Sequence, residues 1–160
     1  MRIAPALKGL ILAVLMIATT WITYYTLPAN SPLHFLVFGV YGLGIIWAVT
    51  AARNSPGNTG TFWAFFNTGF RCLIVAILVF VVYTFIYNKL HPEFAEESSK
   101  IFRADLIAKE KDKTPDQIEE TVASYKKGYA MALVYGSILG YLMIGLVVNA
   151  VTSALLSRRK

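Results

Sequence analysis

No Asp, Glu, Lys or Arg occurs in residues 9–52, and none occurs in residues 128–157. A bilayer core of about 30 Å is crossed by about 20 apolar residues rising 1.5 Å each. The first run is long enough to cross twice and the second to cross once. A soluble domain of this length would spread its charge along the chain. Here charged residues make up 15% and hydrophobic ones 56%, against about 25% charged in soluble chains. The mean hydropathy is +0.55.

The charge is also segregated. All nine acidic residues lie in 93–120, and the surrounding segment 89–127 carries eight Lys and Arg, so it is close to neutral. The remaining bases are Arg2, Lys8, Arg53, Arg71, Arg158, Arg159 and Lys160. They flank the apolar runs with no acid beside them, as positive-inside topology requires. The net charge of +6 therefore points to a membrane and not to nucleic acid, which needs a basic surface with stacking aromatics in water. Cys72 is the sole cysteine, so no intramolecular disulfide forms. Arg2, Lys8 and the apolar stretch after them resemble a signal peptide. No small-x-small cleavage pattern follows, and the segment reads as an uncleaved first helix.

Four membrane helices are expected, over about 8–27, 33–52, 66–89 and 128–156. Pro28-Ala-Asn-Ser-Pro32 breaks the first from the second, with Trp21, Tyr24, Tyr25 and His34 forming an aromatic belt near the turn. Residues 61–70 are rich in Phe and Trp and fit an interfacial segment. The uncharged run 72–88 is too short to span, so the third helix must begin before Arg71, whose side chain snorkels. After Pro92, a charged helix has Glu96–Lys100 and Asp105–Lys109 at i,i+4 and an apolar face of Phe94, Ala95, Ile101, Phe102 and Leu106. Thr114-Pro-Asp-Gln117 is a capping box with proline at the first helical position. From there one helix should run from 115 to about 156. The fold class expected is all-α: an integral membrane four-helix bundle, with an extramembrane helical hairpin (91–127) between helices three and four, in a single membrane domain over 1–160.

Chemistry-bearing residues are few. Arg71 suits a lipid-headgroup or anion site, but the plainer account is an anchor, together with Arg53, Arg158 and Arg159 at the cytoplasmic face. His34, His91 and Glu93 could bind a metal, yet no ligand spacing supports it, and interfacial polar residues account for them. Gly136, Gly140 and Gly145 on the fourth membrane helix are helix-packing positions, serving either a partner or the same chain. Ile118, Val122 and Tyr125 recur on one helical face. They should pack on the preceding helix or offer a docking surface. No carboxylate lies within a membrane run, which argues against a proton- or cation-coupled carrier. No catalytic, cofactor or metal constellation emerges.

The layout resembles the bacterial membrane proteins grouped as domain of unknown function 4199. The resemblance rests on the four-helix plan, Phe62-Trp-Ala-Phe-Phe-Asn-Thr-Gly-Phe70 leading into helix three, His91-Pro-Glu-Phe94, Thr114-Pro-Asp-Gln-Ile-Glu-Glu120, and the glycine-rich last helix ending in basic residues. It spans nearly the whole chain. It implies an inner-membrane location and carries no functional residues with it.

The expected function is that of a non-enzymatic accessory or scaffold subunit, with a small passive transporter or channel as the alternative. The expected partners are the bilayer and a protein or second copy bound through the last helix or the hairpin. Nucleic acid is not expected. With four crossings and Arg2 and Lys8 before the first helix, the termini are expected inside. A cysteine placed at Lys100 should then react with an impermeant maleimide in intact spheroplasts. Reaction only after lysis would reverse the orientation.

Overall fold

A computed structural model describes residues 4–28, 31–55, 58–109 and 114–158. All regular structure among them is helical: α1 (Pro5–Thr26), a 3₁₀ turn (Pro32–Phe35), α2 (Leu36–Ala51), a 3₁₀ turn (Ala52–Asn54), α3 (Phe62–Leu90), α4 (Pro92–Lys109) and α5 (Pro115–Ser157). Four helical segments are long and apolar enough to cross a membrane: α1, α2 with its flanking turns, α3 and α5.

Local chemistry explains the boundaries. Pro5 sits in the first turn of α1, where a missing N–H costs nothing. The helix therefore starts before Lys8 and draws that residue into its second turn. Leu27 is extended, as a residue before proline must be, and this ends α1. Ser31 accepts from the Leu33 N–H at 3.3 Å and caps the 3₁₀ turn. The turn occupies the stretch expected to open the second helix, because Pro32 and the Ser31 cap favour a tight entry. In the loop before α3, Gly60 has φ 68°, a left-handed value that glycine adopts without strain. Residues 62–70 belong to α3 itself, with no separate interfacial element. The capping box at the start of α5 is reciprocal: the Thr114 N–H donates to Gln117 Oε1 at 3.1 Å, and the Gln117 N–H to Thr114 Oγ1 at 3.4 Å. The helix it starts continues unbroken through Gly128 to Ser157.

The chain divides into two compact units, residues 1–81 with 138–160, and residues 82–137. In the first, Leu12 and Met16 of α1, Tyr41 and Ile45 of α2, and Cys72 and Leu73 of α3 are fully buried. Tyr141 of α5 stacks on Phe38 (4.9 Å between centroids) and meets Tyr41 and Phe80 edge-on at 5.2 Å. A side chain at Gly9 would stand 2.5 Å from the Cys72 carbonyl oxygen, so only glycine lets α1 approach α3 that closely.

In the second unit, α4 packs on the first turns of α5. Phe102 stacks on Tyr125 with centroids 4.3 Å apart. Ser98 Oγ donates to the Tyr129 hydroxyl at 3.2 Å, and Arg103 pairs with Glu119 at 2.6 Å. These partners run in opposite order along the two helices. Leu106 and Ile118 are buried, whereas Ile101 is 69% exposed. Ile101 was expected on the apolar face. It lies 100° around the helix from Phe102, so it leaves the stripe that Ser98, Phe102 and Leu106 form at i,i+4 spacing. Asp105 and Lys109 pair at 2.8 Å as expected, and Glu96 reaches Lys126 at 3.5 Å.

Alanine at both Ile118 and Val122 should loosen this second unit. Truncating a buried aliphatic side chain typically costs about 2–5 kcal/mol, so limited proteolysis within 91–127 should accelerate in the purified protein. Unchanged resistance together with loss of a copurifying protein would make the stripe a docking surface.

Candidate functional site

The first unit contains no acidic side chain, since all nine acids fall in 93–120. It nevertheless buries a lysine. Lys8 is 7% exposed, its Nζ lies 3.4 Å from the Ala48 carbonyl oxygen, and it sits 5.5 Å from the centre of the Trp47 ring. Ala48 is in the last turn of α2, where unpaired carbonyls carry partial negative charge. The ammonium therefore caps α2 from α1, and the indole face adds a cation–π contact. Lys8 was expected as a flanking charge. The early start at Pro5 brings it into the helix, and packing against α2 directs it inward.

A second polar contact joins α3 and α5. Asn149 and Ser153 are both fully buried. Asn149 Nδ2 donates to the Phe66 carbonyl oxygen at 3.0 Å, and Ser153 Oγ donates to Asn149 Oδ1 at 3.5 Å. Gly69 makes room for the amide: a Cβ there would collide with Asn149 Oδ1 and lie 2.6 Å from Val49 Cγ2. Lys8 and Ala48, Val49 and Gly69, and Asn149 and Phe66 thus link α1, α2, α3 and α5. Lys8 reads in the sequence only as a flank, and Asn149 carries no expected role there. A charged or amide residue inside an apolar helix was the available signal for Asn149. For Lys8 the signal was Pro5, which sets the helix start.

The predicted packing glycines divide. Gly145 lies under the Tyr41 hydroxyl, where a side chain would overlap it. Gly136 and Gly140 have no atom within 4 Å of where a Cβ would be. The anchors Arg53, Arg71 and Arg158 are exposed, and Arg159 lies outside the described residues. Ile118 is buried, Val122 and Tyr125 are half-buried, and Tyr125 carries the Phe102 stack.

Among the described residues the Tyr41 hydroxyl is buried without a hydrogen-bond partner, whereas both histidines are locally engaged. His34 Nε2 lies 3.0 Å from the Pro28 carbonyl oxygen, and His91 Nδ1 lies 2.6 Å from Glu93. Glu93 is held below the ordinary carboxylate range by its own backbone N–H and by the His91 ring. That pair thus persists as pH falls until it reaches the lowered value. Among the described residues no group of three His, Cys, Asp or Glu could hold a metal ion.

The Gly69–Asn149 contact can be tested by substitution. Gly69→Ala should destabilise the detergent-solubilised protein by about 1–3 kcal/mol, the usual cost of overpacking. Adding Asn149→Ala should recover part of the lost thermal midpoint, because the colliding amide is gone. Strictly additive losses would mean the two residues do not touch.

No curated protein and no solved structure matches the chain. A family model described as a protein of unknown function (DUF4199) matches residues 7–158. That span contains every residue that makes the Lys8 and Asn149 contacts, and the chain belongs to this family.

Proposed function

We propose that the protein is a multi-pass scaffold or accessory subunit of the bacterial cytoplasmic membrane, and that it binds a partner helix along α5. In this reading the four spans form a bundle, α4 and the start of α5 form a helical hairpin outside the bilayer, and the termini are cytoplasmic. The observation that carries the proposal is the open surface at Gly136 and Gly140. Their helix is the least buried span: 17% of its apolar window is inside the protein, against 33% to 39% for the others. Tyr135, Leu139, Met143, Val147, Val151 and Leu155 follow one another at i,i+4, each more than half exposed. Small residues beside such a stripe let a second backbone approach closely in lipid. The occupant is a helix of another membrane protein or of a second copy.

A passive transporter is less well supported, because the spans offer little polar lining. The hydroxyls of Thr19, Thr20, Thr23, Thr26, Thr50, Thr68 and Thr152 donate to carbonyls one turn back in their own helices. Satisfied in this way, they leave few groups to replace the hydration shell of a solute. The reading assigns the protein no enzymatic step, no cofactor and no nucleic-acid partner. Ile118, Val122 and Tyr125 serve the hairpin, which leaves the apolar part of α5 beyond Gly128 as the docking element.

Mild solubilisation should bring down a stoichiometric membrane partner or a dimer. Gly140→Leu should abolish that association and leave helicity unchanged, since among the described residues nothing lies within 4 Å of where its Cβ would be. A wild-type protein that is monomeric and partner-free under these conditions would defeat the proposal.

A further inference from the structure

Three lysines line one recess in the unit formed by residues 82–137, and Lys89 Nζ also lies 5.9 Å from the centre of the Phe85 ring. It has a volume of about 310 Å³, and its lining includes Asn88, Lys89, Pro92, Lys126, Lys127 and Tyr129, with Ala95 and Ala130 as apolar wall. Lys89 belongs to the last turn of α3 and is the first charged residue after the uncharged run 72–88. Lys127 is the last charged residue before the uncharged run 128–157. Both helices therefore place their cations where the apolar span ends, which is the depth of lipid phosphates. Lysine stems lie along apolar surface while the ammonium groups reach that level.

We propose that this recess is a site for a phosphate group, and specifically for the phosphodiester of an anionic phospholipid. Charge and size both fit. Lys126 lies 3.5 Å from Glu96, which claims part of its charge. Three cations against one carboxylate leave an excess suited to a phosphodiester. The volume is about ten times the roughly 30 Å³ share of a water molecule, so a headgroup fits where a bare solvent molecule would be loose. The apolar wall offers a surface to the glycerol end, and clustered cations at lipid-phosphate depth attract acidic headgroups electrostatically. The Glu93 and Phe94 amides at the start of α4 are already engaged, by the Glu93 carboxylate and by the His91 carbonyl oxygen. The inference does not rest on the role given to α5, and its test reads lipid instead of protein association.

The full chain, purified in detergent, is compared by native mass spectrometry after exposure to phosphatidylglycerol or phosphatidylcholine. Phosphatidylglycerol should be retained preferentially, and each lysine should contribute about fivefold in affinity. Combined Lys89→Gln, Lys126→Gln and Lys127→Gln should remove the preference, while Lys100→Gln with Lys109→Gln should leave it intact. Ala95→Trp keeps all three lysines, fills the recess and should remove the preference as well, which separates a lost site from a lost charge. Helicity by circular dichroism confirms that each variant is folded. Displacement of the lipid by millimolar inorganic phosphate, with the same dependence on the three lysines, would keep the phosphate site but overturn the lipid as its source. Equal retention of the two lipids, or full retention of phosphatidylglycerol by the folded triple variant, would overturn the proposal.

Discussion

The absence of any acidic side chain from the unit of residues 1–81 and 138–160 sets how that unit holds itself together. A buried cation without a carboxylate must find its negative charge elsewhere, and an unsatisfied polar group in an apolar surrounding costs several kcal/mol, on the order of 2–7. The backbone supplies the acceptors. Lys8 takes the Ala48 carbonyl oxygen at the end of α2, and Asn149 takes the Phe66 carbonyl oxygen in the second turn of α3. Ala48 can accept because the last carbonyls of a helix have no intrahelical partner, whereas the Phe66 carbonyl, near the start of α3, has a second lone pair for the amide. Threonines elsewhere turn to their own helices for the same reason, which leaves the outer faces apolar.

These interhelical bonds constrain packing more than dispersion alone would. Lipid tails are as apolar as leucine, so burial of aliphatic side chains gives little preference for helix over lipid. Polar contacts and close backbone approach provide it. Gly9 and Gly69 mark the two places where approach is tightest, against the Cys72 carbonyl and against Asn149 and Val49. The ring cluster of Phe38, Tyr41, Phe80 and Tyr141 fills the space between α2, α3 and α5. Buried aromatic pairs of this kind add about 0.5–1.5 kcal/mol each beyond their area.

The unit of residues 82–137 follows different physics. Its sequence carries all nine acids and eight of the bases, and its contacts are those of a charged helix pair. A stacked Phe102 and Tyr125 and a buried Ile118 supply the apolar seam, and exposed pairs such as Arg103–Glu119 lie beside it. Exposed ion pairs of that type add little to stability, about 0–1 kcal/mol. They fix which residues face each other. The helix carrying Ile118 starts sharply because the Thr114–Gln117 box satisfies both of its reciprocal donors.

Much of this architecture was legible in the sequence. Uncharged runs over 9–52 and 128–157 dictate membrane spans because a charge at the bilayer centre is costly. The capping box and the lack of any breaker after it dictated one long last helix. Proline placement likewise fixed where α1 ends. What the sequence could not decide is which residues meet. Lys8 reads as a flank because the start at Pro5 only brings it into α1, and packing is what turns its side chain onto α2. Ile101 reads as part of an apolar face until the angular position of Phe102 excludes it. Gly136, Gly140 and Gly145 are indistinguishable by spacing, yet the Tyr41 hydroxyl covers only the last of them. Local patterns determine where a helix starts, stops and enters lipid, because those depend on near neighbours and on solvent. Which face of a helix is occupied depends on rotation about its axis, and only packing against the other helices sets that angle.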